Sequence, residues 1–319
     1  MKNIVYLLIL LAFIETSCSK KDGSTDLQQP VQNTDPYLPV PDRFTKKVLL
    51  EELTAIWCGY CPRGNHFQHY IDSAYGDKAI CVSIHVADAL EDMQLVTATG
   101  LNLLDSGLFH NFDTSDTGYP NSAVNRAAPL KDPSLWPSIV PGQVSLYAKC
   151  GLAIDASSVA GNVLTVTVHA GFAQPLSSDY RLNVYLIESD VHSATNSSYS
   201  QHNYYSNNGG SHPDSTYFYY GNATPVSYYN LNTEITDFRH DNVLRKLLTS
   251  VPFGDQIPVS EMGRGKQFVK TYTVDLSGYD ISKCSIVAFV DKFGTDFLNN
   301  EHQVQNVQRV KVYSKIMWD

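Results

Sequence analysis

The chain has 319 residues, a formal net charge of -9 at pH 7 and six cysteines. The excess of acidic residues argues against nucleic acid as a partner, because phosphate backbones are bound through basic patches. The length exceeds what one hydrophobic core usually serves, so the sequence predicts two folded domains behind an export signal.

The first residues have the layout of a secretory signal. Lys2 carries a positive charge, residues 4–14 form an apolar run, and Cys18 follows a few small and polar residues. The apolar run is too short for a permanent transmembrane helix. We predict a signal peptide over residues 1–17, cleavage before Cys18 and lipid attachment to its thiol. A plain signal peptide is the alternative, and it would leave Cys18 as an exposed thiol in an oxidising compartment.

Residues 18–44 have the composition of a solvated, lipidated tether. They are rich in Ser, Asp, Gln, Asn and Pro and contain almost no aliphatic run. No later segment is apolar for long enough to cross a bilayer. The sequence therefore predicts a protein that is held at a membrane by its lipid anchor rather than inserted in it.

Residues 45–140 have the element order of a thioredoxin-like α/β domain. The order rests on apolar runs typical of buried strands and on apolar residues at helical spacing. The predicted elements are a buried strand at 47–53, a helix from Pro62 to Gly76, a second strand at 79–85, helical structure over 88–110, and a third strand entered at Tyr119 and Pro120.

A redox-type motif, Cys58-Gly59-Tyr60-Cys61, stands between the first strand and the helix. This position puts the first thiol at the positive end of the helix dipole, where the thiolate is favoured and reactivity rises. We predict that Cys58 is the attacking nucleophile and that Cys61 resolves the mixed disulfide. Trp57, Gly59 and Tyr60 are predicted to contact the substrate.

Two further features complete the predicted catalytic site. Glu52 precedes Cys58 on the presumed buried strand, where a carboxyl of raised pKa can accept the proton of the resolving thiol. The strand pattern leaves open whether Glu51 or Glu52 instead faces solvent or a salt-bridge partner. The Tyr119–Pro120 bond is predicted to be cis and to face the disulfide, with Tyr119 presenting its backbone to the substrate.

The remaining cysteines and the histidines near the motif raise two further hypotheses, a zinc site and a second disulfide. His66 and His69 follow the motif in a C-x2-C-x4-H-x2-H series, which zinc accepts in principle. The spacing is poor because the histidines lie on a helix that leads away from the cysteines, so the sequence predicts no metal and no cofactor. Cys81, Cys150 and Cys284 are predicted to be buried in strands, and Cys150 and Cys284 could pair across the second domain.

Residues 141–319 have the alternating pattern of apolar and polar residues that is typical of an all-β domain. Alternating runs separated by turn residues predict the strands of a β-sandwich. The runs cover residues 144–154, 163–172, 182–187, 268–276, 285–290 and 307–312.

An insertion at residues 199–230 interrupts the predicted sandwich with many tyrosines among Ser, Asn and Gly. That mixture is typical of binding loops, where Tyr supplies contact area at low entropic cost. The alternative is a surface loop whose aromatic rings pack on its own sandwich. After the insertion, Asp241 is predicted to cap a helix in which Val243 packs inward, which favours a structural over a catalytic role for His240, Asp241 and Arg245.

Four motifs carry a family resemblance: the run at 48–54, Pro62 and Arg63 after the second motif cysteine, the Gly118-Tyr119-Pro120 turn leading to Asn125 and Arg126, and the stretch 240–245. Together they resemble the twenty-eight-kilodalton outer membrane protein family of Bacteroidetes lipoproteins. The resemblance implies a thioredoxin-like domain followed by an immunoglobulin-like β-sandwich, at the outer membrane or cell surface. It implies little about activity, because such proteins are known mainly as surface antigens.

Two functions of different classes follow from these observations. The first is a thiol-disulfide oxidoreductase of the cell envelope, with protein thiols or disulfides as partners. The second is a surface-exposed binding protein or adhesin, in which the Cys58–Cys61 disulfide is structural and the Tyr-rich insertion recognises an extracellular ligand.

Overall fold

The computed structural model describes residues 35–91, 118–127, 130–251, 253–294 and 302–319. The predicted signal peptide, Cys18 and most of the predicted tether lie outside these residues, as does most of the predicted helical stretch 88–110. The contacts within the chain separate two compact units, with the boundary before residue 37. The second unit, Tyr37–Asp319, contains all the helices and strands given below.

The described elements alternate first between strands and helices and then become almost entirely strands. The helices are α1 Pro62–Tyr75 and α2 Trp136–Val144. The strands are β1 Val48–Thr54, β2 Ala79–His85, β3 Asn121–Val124, β4 Cys150–Ala160, β5 Val163–Phe172, β6 Tyr180–Glu188, β7 Gln201–His202, β8 Phe218–Tyr219, β9 Val226–Ser227, β10 Glu234–Ile235, β11 Val243–Leu247, β12 Asp255–Gln256, β13 Gln267–Asp275, β14 Cys284–Lys292, β15 Val304–Lys311 and β16 Lys315–Ile316. Short 3-10 helices cover Gly76–Lys78, Pro133–Leu135, Ser197–Tyr199, Tyr228–Asn230, Val259–Glu261 and Ile281–Lys283.

Helix α1 forms where the sequence predicts it. Pro62 occupies its first position, where the fixed φ of proline suits a helix and no backbone donor is lost. Gly76 ends it with a φ of 51°, a backbone conformation that glycine adopts without steric cost. The buried positions Gly64, Gln68 and Ile71 recur at spacings of four and three, so one face of the helix lies on the sheet.

A large mixed sheet runs through the unit in the order β15-β14-β6-β11-β2-β1-β3, with β12 also paired to β6. Strands β1 and β2 are parallel, and β2 is parallel to β11. The pairs β1–β3, β6–β11, β6–β14 and β14–β15 are antiparallel. Strands from both sides of the predicted boundary at residue 140 thus share one hydrogen-bonded sheet, and the fold is a β-rich α/β fold.

Each face of the large sheet has its own core. One face carries a continuous apolar cluster from β1 to β15 that includes Leu53, Ile84 and Phe289. On the other face, α1 and α2 cover β1 and β2, where Trp136 packs near Leu50. The second sheet, in the order β13-β5-β4-β16, covers β6 and β14 on that face. The β-rich part therefore has two facing sheets with an apolar layer between them.

A buried ion network joins the two halves of the chain. Arg126 donates to Glu51 Oε2 at 2.8 Å, to Asp291 Oδ2 at 2.6 Å and to the Tyr185 hydroxyl at 2.8 Å. The side chains of Arg126, Glu51 and Asp291 are fully buried. Burial raises the pKa of Asp291 to about 7, although the guanidinium opposes this shift. Of the two adjacent glutamates, Glu51 is therefore the one that forms a salt bridge.

Two details differ from the sequence expectations, and a third answers a question that the sequence leaves open. The predicted helix after Asp241 is wrong, because residues 243–247 form β11 between β2 and β6, where Leu244 and Leu247 contact the core of one face on either side of a register shift. The last residues of the predicted tether pack on the second sheet, since Tyr37 stacks on His169 with ring centroids 3.8 Å apart. Cys150 and Cys284 lie in the core between the sheets and are both unpaired.

Candidate functional site

The predicted motif cysteines form a disulfide at the start of α1. Cys58 and Cys61 are bonded to each other, with Cα atoms 5.4 Å apart. Cys61 is the N-cap residue of α1, and its carbonyl accepts a hydrogen bond from the Gly64 N–H at 2.9 Å. Cys58 is 6% exposed and Cys61 is 2% exposed. Both cysteine residues are therefore buried.

The Tyr119–Pro120 bond is cis, as predicted, and it leads directly into β3. Tyr119 packs with the disulfide in one apolar cluster, and its ring lies edge-on to Trp57 with centroids 5.7 Å apart. Trp57 remains 43% exposed. The structure therefore brings the disulfide and the adjacent Trp57 together with the proline turn, which lies far along the sequence from both.

Glu52 points from β1 toward α1 and lies behind the disulfide. Its side chain is on the opposite face of the strand from Glu51, because successive side chains of a strand alternate. Gln68 of α1 donates a hydrogen bond to Oε2, whereas Oε1 has no hydrogen-bond partner among the described residues. Burial raises the pKa of Glu52 to about 8. The carboxyl is therefore protonated at neutral pH.

A small polar cavity connects Glu52 with Cys61. Its volume of about 20 Å³ is enough for a single water molecule. Its walls include Glu52, Cys61, Gln68, Ser83, His85 and His240. Because Glu52 and Cys61 both line this polar space, a water molecule in it would supply a route for a proton between the two residues.

A histidine–aspartate pair supports the other wall of this cavity. His85 Nδ1 lies 2.7 Å from Asp88 Oδ2, and the same carboxylate accepts the Ile56 N–H at 2.8 Å. Burial alone would raise the pKa of Asp88, but His85 and the hydrogen bonds lower it overall. The pair thus anchors the loop that leads to the disulfide.

His240 lies beside His85, with ring centroids 5.2 Å apart. Burial lowers the pKa of His240 to about 3, so its ring is neutral. Its Nε2 donates to the carbonyl of Tyr199 at 2.9 Å. His240 is therefore in the wall of the site, although the sequence pattern predicted only a structural role for it.

The Tyr-rich insertion, residues 199–230, packs on the motif rather than on the sandwich. The Tyr60 ring lies edge-on to Tyr204 at 5.1 Å, and its hydroxyl is 2.7 Å from His212 Nδ1. On α1, His69 stacks on Tyr220 at 3.7 Å, and His66 Nδ1 accepts the Phe218 N–H at 3.2 Å. Both histidines of the zinc alternative thus contact the insertion.

Several site residues carry no signal in the sequence. Gly64 lets the Glu52 carboxyl approach α1, since a Cβ at that position would stand 1.8 Å from Oε1. Gln68 and His85 lie within elements that the pattern predicts, but their polarity does not reveal which face they occupy. Gln201, whose amide reaches the motif loop, is separated from it by more than 140 residues.

In the part of the chain that the structure describes, no helix combines the length and apolar character needed to cross a bilayer. The fold and site together define a β-rich α/β protein with a disulfide at a helix start.

Residues 108–315, more than half of the chain, match the family described as outer membrane protein Omp28. The chain therefore belongs to the Omp28 family, and this membership associates it with the outer membrane. The comparison with curated proteins gave no match.

Solved structures supply a fold comparison. HBP35 of Porphyromonas gingivalis is 19% identical, with a TM-score of 0.55 over 84% of this chain and 76% of that chain. A domain of the outer membrane lipoprotein Omp28 from the same organism is 17% identical, with a TM-score of 0.28 over 52% of this chain and 88% of that domain. A protein from Agrobacterium tumefaciens is 9% identical, with a TM-score of 0.47 over 86% of this chain and 96% of that chain. The first of these similarities concerns the fold alone.

Proposed function

We propose that this chain is a thiol-disulfide oxidoreductase of the cell envelope and that Cys58–Cys61 is its reactive disulfide. The observation that carries the proposal is the protonated, buried carboxyl of Glu52, which borders the same cavity as Cys61. An unpartnered oxygen in a buried carboxyl costs stability, and such a cost is expected where the group serves chemistry.

The architecture supports this proposal. We propose that β1, α1, β2 and β3 form a thioredoxin-like unit and that the two facing sheets form an immunoglobulin-like one. A lipid on Cys18 would hold the protein at the outer membrane or cell surface, in an oxidising compartment where disulfide chemistry operates.

The proposed exchange consists of two successive attacks by substrate thiolates. A substrate thiolate attacks Cys58 Sγ, forms a mixed disulfide and breaks the bond to Cys61. Cys61 leaves as a thiolate and takes the proton of Glu52. A second substrate thiolate then attacks the substrate sulfur of the mixed disulfide, which releases the substrate disulfide and leaves Cys58 reduced. Two substrate thiols are oxidised, the protein disulfide is reduced, and the reverse sequence oxidises the protein.

A binding protein with a static disulfide is the second proposal. The low exposure of the two cysteine residues, 6% for Cys58 and 2% for Cys61, is the observation that favours it. A structural disulfide in an exported protein has a potential below about -300 mV, whereas catalytic pairs lie well above this value. The potential of Cys58–Cys61 therefore separates the two proposals.

The test combines that potential with the rate at which dithiothreitol reduces the disulfide between pH 5 and pH 10. The thiolate fraction of dithiothreitol itself changes with pH. The ratio of the wild-type rate to the Glu52→Gln rate at each pH removes this effect, because it is the same for both proteins. We expect a potential above about -300 mV and a wild-type rate that exceeds the variant rate on the order of 10²-fold below pH 8, converging above it. A lower potential together with equal rates would leave the binding protein as the function.

A further inference from the structure

We infer that the covering segment, residues 201–204, selects the substrate of the Cys58–Cys61 site, and that this substrate is a low-molecular-weight thiol or disulfide rather than an extended polypeptide. The inference rests on the proposed function and names its substrate class. Three sets of contacts carry it: backbone pairing, a buried glutamine and two tyrosine rings.

The covering segment pairs with the motif loop through its backbone. The His202 N–H donates to the Ile56 carbonyl at 2.8 Å, and the Tyr204 N–H donates to the Gly59 carbonyl at 2.9 Å. A polypeptide that docked on this loop through its backbone would offer its own N–H groups to the same carbonyls. Because the chain's own segment already lies there, a substrate strand cannot occupy the same position.

Gln201 holds the covering segment in place. Its side chain is buried, and its Nε2 lies 2.9 Å from the Cys58 carbonyl and 3.2 Å from the carbonyls of Ala55 and Ile56. A buried amide that reaches several backbone carbonyls is costly to displace, because its own N–H groups would be left without acceptors. The anchor therefore fixes the segment directly against the residue that carries the reactive sulfur.

Tyrosine rings fill the space above the motif. A Cβ at Gly59 would stand 2.3 Å from Cδ1 of Tyr204, so the ring lies directly on the glycine. The Tyr60 ring contacts both Tyr204 and Tyr205. Two of the four residues predicted to bind substrate are thus covered by the chain itself, whereas Trp57 keeps 43% of its surface exposed.

The covering segment belongs to a packed structure rather than a loose flap. Tyr205, Tyr219, Tyr228 and Phe238 form a buried cluster of their own. The Tyr228 hydroxyl donates to Asn65 Oδ1 on α1 at 2.9 Å, which ties that cluster to the helix that begins at the disulfide. Strand β7 of the segment also pairs with β10.

A small sulfur compound meets fewer constraints than a polypeptide. Exchange requires only that one sulfur reach Cys58 along the line of the bond that breaks, whereas a polypeptide needs room for the residues on both sides of its cysteine. In the oxidising direction, the reduced pair and one small disulfide yield the protein disulfide and two small thiols. The Cys58 thiolate attacks the small disulfide and expels one small thiolate, which takes its proton from solvent. Cys61 then attacks Cys58 Sγ and expels the second small thiolate, while its proton passes to Glu52, which is ionised after reduction of the pair, and from there to that thiolate.

The test uses the full chain with Cys58 and Cys61 reduced beforehand. Reoxidation by oxidised glutathione and by insulin is followed by alkylation and mass measurement, and the ratio of the insulin rate to the glutathione rate is the readout. We expect the ratio to rise roughly tenfold in Gln201→Ala and in Tyr204→Ala, because each lost contact shifts such an equilibrium severalfold.

Tyr70→Ala is the matched control, because Tyr70 is exposed on α1 and its loss should leave the ratio at the wild-type value. Tyr204 is 37% exposed, so Tyr204→Ala should fold even where Gln201→Ala does not. A wild type that reacts with insulin as readily as with glutathione, or a ratio unchanged in Tyr204→Ala, overturns the inference. Failure to react with either compound instead overturns the proposed function.

Discussion

Glu52 and Gly64 are in direct contact across the interface of β1 and α1. A Cβ added at Gly64 would stand 1.8 Å from Oε1 and 2.7 Å from Cδ of Glu52. Glycine is thus required at this helical position, because the Glu52 carboxyl occupies the space of a side chain.

Gly64→Ala should force the Glu52 carboxyl out of its position. We expect a loss of about 1–3 kcal/mol in the free energy of unfolding, the usual cost of overpacking. Gly142→Ala is the matched control, because nothing lies within 4 Å of a Cβ there on helix α2. That change should stabilise by about 0.5–1 kcal/mol. Urea unfolding measures both, and equal effects at the two glycines would contradict the contact.

Glu52→Gln should change how stability depends on pH. Burial raises the pKa of Glu52 from its ordinary 4.5 to about 8 in the folded state. Between these values the unfolded chain releases the proton while the folded chain keeps it, so stability of the wild type falls as pH rises. The variant lacks this loss and should gain up to roughly 5 kcal/mol over the wild type above pH 8, at about 1.4 kcal/mol per pH unit.

Below pH 4.5 the two proteins should have equal stability, because the glutamic acid is then protonated in both states. Denaturant unfolding at pH 4, 6 and 9 checks this dependence. His240, another cavity residue, stays neutral in the folded state because its pKa is lowered from 6.5 to about 3. Its charging in the unfolded chain below pH 6.5 lowers the stability of both proteins equally and cancels in their difference. A stability difference that does not vary with pH would contradict the buried, protonated carboxyl.

Arg126→Met should destabilise the protein by about 3–5 kcal/mol, because it leaves Glu51 and Asp291 buried without their cation. Arg264→Ala is the control, since its pair with Asp42 is 66% and 75% exposed and should change stability by less than about 0.5 kcal/mol. Adding Glu51→Gln and Asp291→Asn to Arg126→Met should restore part of the loss. No recovery would argue against an electrostatic cause.

Alkylation should separate the reactive cysteines from the structural ones. Burial raises the pKa of Cys150 and of Cys284 to about 12 and that of Cys81 well above its usual range. After mild reduction at pH 8, iodoacetamide should modify Cys58 first, and these three cysteines should react only in denaturant. Peptide mass spectrometry reads each site, and native labelling of Cys150 at the rate of Cys58 would contradict this assignment.

Local patterns in the sequence were sufficient for the first half of the fold. The apolar run of β1, the proline and glycine that bound α1, and the run of β2 each depend on neighbours within a few residues. The same holds for the motif itself and for the cis bond before Pro120. The helix predicted after Asp241 failed because the apolar pair at Val243 and Leu244 suits either a helix or a buried strand, and only the neighbouring strands decide between them.

The sequence by itself determined the candidate residues of the site: the two cysteines, the adjacent carboxyls at positions 51 and 52, and the proline turn. Only the tertiary structure decided that Glu52 rather than Glu51 faces the disulfide, that Gly64 makes room for it, and that Gln201 and Tyr204 cover the motif. These contacts join residues up to about 145 positions apart through hydrogen bonds to backbone carbonyls. Every residue has a backbone carbonyl, so such bonds leave no pattern in the sequence.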